Sequence, residues 1–357
     1  MKRQLLGVAA ILLSISTYAQ DNPLWMRYCA ISPDGTTIAF TYKGDIYTVP
    51  STGGRASQIT TNPAHDTKPI WSPDGKKIAF ASDRMGSMDI FEVNKEGGIP
   101  KRLTTHSGNE TPVAYKDAGH ILFLANIMPT VEDAQFPSGQ FQQVYEVNTE
   151  GGRPALFSSM PMEDISINHT GNTLLYHDKK GYEDPWRKHH TSSITRDIWL
   201  CSLNGNRTFR KQTTFNGEDR TPVWASDDKS FYYLSEEKGS FNIFKRDIDG
   251  NTSKQITNHT KHPVRFLSAA SNGTLCYGYD GEIYTVKEGA IPQKVQISIV
   301  TDKNDKDLIR QIKRSGATEI SLSPDAKEIA FVLRGDVYVT STEYSTTKQK
   351  DPDHLGR

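Results

Sequence analysis

The chain has 357 residues, with 42 lysines and arginines balanced by 42 aspartates and glutamates, so its formal net charge is zero. Nucleic-acid binding depends on many basic side chains that neutralise phosphates, and this balance argues against that class of partner. The 15 tyrosines and 14 phenylalanines are typical of a protein rich in β-strands.

The first residues have the pattern of an export signal. Lys2 and Arg3 precede an apolar segment that ends near Ile15, and the small residue Ala19 precedes Gln20. The apolar segment is too short to span a bilayer comfortably. We therefore expect residues 1–19 to be a signal peptide, the mature protein to lack a membrane span, and its location to be periplasmic or secreted.

One short pattern recurs along the chain after this segment. Residues 69–80 form an apolar strand, a Ser-Pro-Asp-Gly turn and a second apolar strand. Proline, aspartate and glycine each favour a tight turn for a different conformational reason. Nearly the same pattern begins at Ile31 and again at Leu322. The chain is therefore built from repeats, which decide the fold.

The repeats have a regular period and a regular content. Each unit contains four short strands, and the apolar residue before each first turn recurs every 40 to 57 residues, at Ile31, Trp71, Tyr115, Ile167, Trp224, Leu267 and Leu322. Four strands with this spacing predict the blade of a β-propeller. A β-sandwich is the competing all-β fold, but it would not repeat its sequence in this way.

We predict an all-β protein composed mainly of one six-bladed β-propeller of four-stranded antiparallel blades. The outer strand of its sixth blade is expected at Lys294 to Ile297. A charged linker follows, and the Ser-Pro-Asp turn then returns in the first blade of a truncated second propeller. A single ring of seven blades is the alternative. The predicted divisions are 20–300 for the propeller, 301–316 for the linker, 317–345 for the extra blade and 346–357 for a disordered tail.

Two insertions, at 126–142 and 179–195, separate the second and third strands of neighbouring blades and should project from one face of the propeller. Aromatic residues and arginine are enriched at the centres of interfaces. Loops that only pack over the rim are the alternative. A metal shared by the adjacent histidines is disfavoured because neighbouring side chains on an extended segment point to opposite sides. The candidate binding residues are Phe136, Phe141, Tyr182, Trp186, Arg187, His189 and His190.

The central channel is the second candidate site. The residues expected near the starts of the inner strands carry mixed charges, and this argues against a metal centre. Basic residues there suit a peptide carboxylate, while a solvated lining is the alternative. The expected positions are Arg27, Lys68, Glu110, Glu163, Arg220 and His262, of which Arg27, Lys68, Arg220 and His262 are the candidate channel-lining residues.

The sequence lacks several common catalytic and metal-binding motifs, which argues against catalysis by this chain. The sequence contains no Gly-x-Ser-x-Gly, no His-Glu-x-x-His, no Walker loop and no EF-hand spacing. The three cysteines, Cys29, Cys201 and Cys276, lie in distant repeats, which is not typical of a disulfide scaffold or a zinc site. We expect them to behave as small buried apolar residues. We predict no catalytic residue, no metal site and no cofactor.

The repeats resemble the propeller repeats of the TolB family and of tricorn-type proteases. The chain after Gln20 resembles the amino-terminal part of a bacterial tricorn protease homologue. The resemblance is carried by the segment 23–28, the Ser-Pro-Asp-Gly turns, six units followed by the opening of another propeller, and the insertion that begins at Lys179.

In that family, the resemblance implies, a six-bladed and a seven-bladed propeller precede a PDZ-like domain and a serine peptidase core. The propellers would filter or channel peptides. The nucleophilic serine and the general-base histidine of the family would lie beyond the matched region, so the resemblance assigns no catalytic residue here.

Three functions are therefore considered. The first is the non-catalytic propeller portion of an exported tricorn-type serine peptidase, which gates peptides or binds proteins. The second is a free-standing periplasmic TolB-like propeller that binds proteins. The third is a propeller enzyme such as a metal-dependent hydrolase. The expected partners are peptides or proteins, among them the missing downstream peptidase domains or other subunits.

Overall fold

The computed structural model describes residues 23–127, 141–182, 192–300, 315–342 and 347–349. These residues form seven four-stranded antiparallel sheets and one short parallel pairing. The prediction of an all-β protein built from antiparallel meanders is confirmed. Across the same residues, no helix is long and apolar enough to cross a membrane.

In every sheet the four strands follow one another in chain order. The inner strands are Arg27–Ile31, Asp66–Trp71, Thr111–Asp117, Met162–Ile167, Asp219–Trp224, Arg265–Ala269 and Ala317–Leu322. The second strands are Thr37–Tyr42, Lys77–Ser82, His120–Ala125, Thr173–Asp178, Ser230–Ser235, Leu275–Tyr279 and Glu328–Leu333. The third strands are Asp45–Pro50, Asp89–Asn94, Gln143–Asn148, Ile198–Ser202, Asn242–Asp247, Glu282–Val286 and Asp336–Ser341. The fourth strands are Ser57–Gln58, Lys101–Arg102, Ala155–Ser158, Thr208–Lys211, Ser253–Gln255, Gln293–Lys294 and Thr347–Gln349.

The first six sheets are arranged in a ring. Their inner strands contact one another in cyclic order, and the inner strand of the sixth sheet contacts that of the first. Apolar side chains fill the spaces between neighbouring sheets. Two tryptophans also tie a sheet to its predecessor, because the Trp71 indole N–H donates to the Ala30 carbonyl at 2.8 Å and that of Trp224 to the Ser166 carbonyl at 3.0 Å.

The junction between the sixth and first sheets, here called the ring-closing junction, is built differently. Ile297–Ser298 leaves the sixth sheet and pairs in parallel with Gly54–Arg55 of the first. The prediction of an outer strand from Lys294 to Ile297 is wrong, because that strand is Gln293–Lys294. Ile297 is only 2% exposed within the apolar core of this junction. Burial of its side chain there explains why the chain crosses to the first sheet.

A glycine permits the close approach at this junction. Gly53 has a φ of 91°, and a Cβ atom at this position would lie 2.6 Å from the carbonyl oxygen of Gln296. Any other residue would therefore meet both backbone strain and a steric clash. The Gly53-Gly54 turn, which the sequence marks only as turn chemistry, brings the crossing strand to the first sheet.

The Ser-Pro-Asp turns owe their shape to side chains that bond the backbone. In the second sheet, the Ser72 hydroxyl donates to Asp74 at 2.7 Å and accepts the Lys77 N–H at 2.9 Å, while Asp74 also accepts the Lys76 N–H at 3.1 Å. The hydrogen bond from Ser72, followed by that from the Lys76 backbone, lowers the pKa of the Asp74 carboxyl. This arrangement recurs in the first and seventh sheets.

The seventh sheet lies outside the ring of six. Its fourth strand, Thr347–Gln349, pairs with the third strand, so the sheet extends beyond residue 345, into the segment assigned to a tail. The guanidinium of Arg334 in this sheet lies 2.9 Å from the Asp83 carboxylate of the second sheet. Its inner strand leaves Ile320 and Leu322 largely exposed.

Candidate functional site

A shared irregularity shapes the inner strands of the ring. In all six sheets the pairing of the inner strand with the second strand shifts register near the start of the strand. Such β-bulges bend a strand and redirect its side chains. In five sheets the bulge contains a non-glycine residue with a left-handed φ between 48° and 57°, namely Tyr28, Lys68, Asp164, Thr221 and Phe266.

These five residues all line one cavity at the centre of the ring, here called the channel cavity. Left-handed φ is uncommon for residues other than glycine, and it is most unfavourable for β-branched or bulky ones. Strained backbone of this kind is concentrated at functional sites, where the surrounding structure enforces it. The bulges therefore mark the channel as the candidate functional site.

The channel cavity has a volume of about 660 Å³ and is lined by residues from all six inner strands. Its lining contains five cationic side chains, from Lys68, Lys179, Arg196, Arg220 and Arg265. Among the described residues of this lining, only Glu163 and Asp164 carry carboxylates. A concave site with this excess of cations raises the local concentration of anionic groups.

Glu163 is surrounded by hydrogen-bond donors. Its carboxylate lies 2.7 Å from Lys179 Nζ and 3.2 Å from His177 Nε2. Burial alone would raise the pKa of Glu163, but the hydrogen bonds and charges of His177 and Lys179 outweigh burial and lower that pKa well below its usual range. Glu163 is thus ionised, and it is not suited to act as a general acid.

The orientation of His177 follows from its two neighbours. The Thr221 backbone N–H donates to His177 Nδ1 at 3.3 Å, so Nε2 is the ring nitrogen that donates to Glu163. The Thr221 hydroxyl donates to Asp164 at 2.6 Å. Both bulge residues of the fourth and fifth sheets are therefore held in a single hydrogen-bonded network.

A buried carboxylate positions two of the arginines. Glu218 is fully buried, and its Oε1 lies 2.9 Å from Arg196 and 3.4 Å from Arg220. The Arg220 guanidinium also lies 4.1 Å from the ring centroid of Phe241, a favourable cation–π contact. Because these partners fix the guanidinium groups, a ligand would not have to order them on binding.

A second cavity, here called the rim cavity, lies between the ring and the seventh sheet. Its volume is about 910 Å³. It shares Tyr28, Lys68, Arg265 and Phe266 with the channel cavity, so the two are contiguous on one face of the ring. The further residues that line the rim cavity include Trp25, Arg27, Lys43, His262, Arg334 and Asp336.

The predicted channel residues divide between the two cavities. Lys68 lines both, and Arg220 lines the channel cavity, whereas Arg27 and His262 line only the rim cavity. The expectation for Glu110 is wrong, because its side chain is fully buried and accepts a hydrogen bond from the Thr104 hydroxyl. Burial is the main reason why the pKa of Glu110 is raised to about 7.

Of the predicted loop residues, Tyr182 lines the channel cavity, and it is 83% exposed. Phe141 is partly buried and belongs to neither lining. The other predicted loop residues lie outside the described part of the chain: Phe136, Trp186, Arg187, His189 and His190. Among the described residues, no cluster of histidine, cysteine, aspartate or glutamate is placed to hold a metal ion.

Sequence reasoning missed His177, Arg196 and Arg265 as parts of the site. His177 is the next-to-last residue of a second strand, and Arg196 shortly precedes a third strand. In an antiparallel meander these positions lie on the same face as the starts of the inner strands. The insertion between the second and third strands of the fourth sheet was the available signal, because its flanks define that face.

A family model for the tricorn protease N-terminal beta propeller domain matches residues 23–290. The chain belongs to this family. The predicted resemblance to the amino-terminal propeller of tricorn protease homologues is thereby confirmed.

Two relatives and one structure illustrate the match. Tricorn protease homolog 1 of Streptomyces coelicolor is 26% identical over 323 residues, which cover 88% of this chain but 29% of that protein. An uncharacterized protein of Agrobacterium fabrum is 33% identical over 216 residues, covering 57% of this chain and 68% of that protein. The crystal structure of the tricorn protease matches the fold with a TM-score of 0.67 at 20% identity, over 92% of this chain and 32% of that one. The chain thus spans less than a third of the tricorn proteins compared.

The left-handed bulge gives a prediction about stability. Lys68 has a φ of 53°, which costs an L-residue about 1–2 kcal/mol and costs glycine little. Lys68→Gly and Lys68→Ala both remove the ammonium group, so we expect the glycine variant to be more stable by about 1 kcal/mol. Urea denaturation of the two variants measures the difference. If the alanine variant were as stable as the glycine variant, or more stable, the left-handed backbone conformation at residue 68 would be contradicted.

Beside the channel, Asp219 begins the inner strand of the fifth sheet and is nearly fully buried. Burial raises the pKa of Asp219 from its ordinary value of 3.8 to about 7, and the nearby carboxylates of Asp197 and Glu237 add to the rise. Hydrogen bonds from Ser235 and Thr213 oppose this change but do not cancel it. The folded state therefore retains a proton on Asp219 that the unfolded state releases.

This difference predicts a pH dependence. Between about pH 4 and pH 7 the unfolded state binds fewer protons than the folded state. Because of Asp219, the free energy of unfolding therefore falls by about 1.4 kcal/mol for each unit by which the pH rises. Asp219→Asn should remove this slope and become more stable relative to wild type as the pH rises from 5 to 7. Urea denaturation at several pH values measures this slope for both proteins.

Asp227→Asn is the matched control for Asp219→Asn. Burial would raise the pKa of Asp227, but hydrogen bonds from the backbone of Lys229 and Ser230 lower it overall. The contribution of Asp227 to stability is therefore constant above about pH 4. Its replacement should shift the stability curve without changing the slope. Parallel curves for wild type and Asp219→Asn would contradict the assignment.

Proposed function

We propose that this chain is the non-catalytic propeller portion of an exported tricorn-type serine peptidase, and that its channel cavity holds peptides. Family membership supports the propeller role. The short span relative to tricorn homologues supports a longer protein. The observation that carries the peptide proposal is the channel cavity, lined by five cationic side chains.

The lining residues suit the chemistry of a peptide. Lys68 and Arg265, which line both cavities, would bind carboxylates of the peptide through charge-assisted hydrogen bonds. Asp164 would accept backbone N–H groups of an extended segment. The apolar surfaces of Tyr28 and Phe266, whose ring centroids are 4.8 Å apart, would contact side chains of any type. The volume lies in the range of ordinary ligand sites, about 300–1,000 Å³.

In this proposal the propeller binds and guides, and cleavage belongs to another part of the longer protein. The ionised Glu163 and its donors hold the walls of the channel in place rather than transfer protons to a substrate. The signal-like pattern of residues 1–19 supports export. The partners are then peptides, and the other domains or subunits of the peptidase.

A peptide-binding measurement tests the role of the channel. We expect a fluorescein-labelled octapeptide with a free carboxyl terminus to bind, and Lys68→Ala to weaken binding about tenfold, as the loss of one charge-assisted hydrogen bond would. Fluorescence anisotropy at low and high salt measures the affinity, and salt should weaken binding. The same peptide with an amidated terminus should bind more weakly.

Lys76→Ala is the control for this measurement. Lys76 directly follows the Ser-Pro-Asp-Gly turn of the same sheet, at the opposite end from the channel mouth, and lines neither cavity. Its replacement should leave the affinity unchanged. Equal affinities for wild type, Lys68→Ala and Lys76→Ala would exclude the channel as the binding site.

A second function has one observation in its favour. The match to the uncharacterized protein of Agrobacterium fabrum covers most of that relative, as expected if some propellers of this type act alone by binding proteins. A free-standing propeller would bind proteins through the same cavities and would have no peptidase core.

The native protein distinguishes the two functions. For the peptidase portion, we expect the protein isolated from its own cells to begin at Gln20 and to be much heavier than the 39.9 kDa of this chain, because this proposal assigns a peptidase core to the longer protein. Intact-mass measurement and amino-terminal sequencing test both points. A mature protein that ends at Arg357 would favour the free-standing propeller, and an intact Met1 would contradict export.

A further inference from the structure

The ring-closing junction lacks the covalent continuity of the other five. Elsewhere in the ring, the fourth strand of one sheet leads directly into the inner strand of the next. Between the sixth and first sheets, the described contacts include an apolar core, the two-residue parallel pairing, a few backbone hydrogen bonds and some side-chain hydrogen bonds. One such bond joins the Met26 N–H to the Gly281 carbonyl at 3.1 Å.

Two cysteines meet inside this junction. Cys29 lies in the inner strand of the first sheet, and Cys276 lies in the second strand of the sixth sheet. Both belong to the apolar core that joins the two sheets, and they are 4% and 0% exposed. The sequence gives no sign of this proximity, because the two residues stand near opposite ends of the ring.

The contacts of Ser268 show how close the two cysteine segments are. Ser268 is paired with Cys276 across the sixth sheet. Its hydroxyl lies 3.5 Å from the Cys29 carbonyl oxygen and 3.4 Å from the Cys276 carbonyl oxygen, and it accepts the Ile31 N–H at 3.0 Å. The Cys29 thiol lies 3.5 Å from the Phe266 carbonyl oxygen. Burial, followed by the neighbouring Cys29 side chain, raises the pKa of the Cys276 thiol.

The third cysteine has different surroundings. Cys201 is buried in the fourth sheet, in the core between the third and fourth sheets, where Leu122, Leu174 and Tyr176 surround it. Neither Cys29 nor Cys276 belongs to that core. The chain therefore contains one pair of neighbouring thiols and one separate thiol, which serves as an internal control.

We propose that Cys29 and Cys276 form a disulfide that covalently closes the ring. The two thiols give up two protons and two electrons as the Sγ–Sγ bond forms. A disulfide-bearing oxidant, such as oxidised glutathione or a thiol–disulfide oxidoreductase, accepts them and is reduced to two thiols. The bond forms while the first and sixth sheets come together, because their contact afterwards buries both sulfur atoms.

The cross-link would act where the ring has no chain connection. It joins two residues separated by nearly the whole ring, and in the chain-entropy description a disulfide that closes a long loop stabilises the folded state strongly. Oxidising compartments maintain such bonds. The inference concerns assembly of the ring and stands independently of peptide binding.

The test is refolding of the full chain in a redox buffer. Protein unfolded and reduced in denaturant is refolded with reduced and oxidised glutathione, then alkylated and digested. We expect one alkylated cysteine, Cys201, and a disulfide-linked peptide pair that contains Cys29 and Cys276. The oxidised protein should unfold at a urea concentration higher by about 1 M than the same protein after reduction.

Variants assign the effect to this pair. Cys201→Ala should retain the cross-link and the response to reductant, whereas Cys29→Ala and Cys276→Ala should lose both. The wild-type measurement does not depend on these variants, so it decides the question even if either one folds poorly. Three alkylated cysteines after refolding, a disulfide that includes Cys201, or a urea midpoint unchanged by reduction would each overturn the proposal.

Discussion

Packing between neighbouring sheets is the interaction on which the rest of this structure depends. Each four-stranded meander of the ring has two faces that carry apolar side chains, and neither can remain in water without loss of stability. Stacking in a line would leave the two terminal sheets with one uncovered face each. A closed circuit covers every face, and so the contact between the sixth and first sheets completes the apolar core that all the other contacts begin.

The same circuit creates the site. Because the six inner strands converge on one axis, any side chain that their bulges redirect enters a shared space. The bulges give this space its chemistry, with Lys68 from one sheet and Asp164 from another. Buried partners such as Glu218 then hold the arginines in place. The backbone is thus strained at the centre of the ring, and burial of side chains elsewhere in the blades compensates for that strain.

Much of the fold is readable from the sequence because it is repeated. The Ser-Pro-Asp turns, the four-strand period and the anchor residues such as Trp71 all reflect local preferences, and repetition makes them unmistakable. The crossing of Ile297 to the first sheet is different in kind. It depends on the space available between two sheets that are remote in sequence, and the strand pattern of the sixth unit contains no sign of it.

The site was less predictable than the fold, for a related reason. Lys68 and Arg220 could be placed near the channel because they lie near the starts of inner strands, but the bulges that turn neighbouring residues inwards contain no glycine. His177 reaches the channel from a second strand, and Arg196 from the residues just before a third strand. The proximity of Cys29 to Cys276 depends wholly on closure of the ring.

The two tryptophan tethers have a consequence for spectroscopy. The indoles of Trp71 and Trp224 are buried between neighbouring sheets and bonded to the preceding one, whereas the seventh sheet contains no tryptophan among its described residues. The fluorescence of these two indoles is therefore an optical gauge of blade separation, because it changes when water enters between the first and second or the fourth and fifth blades.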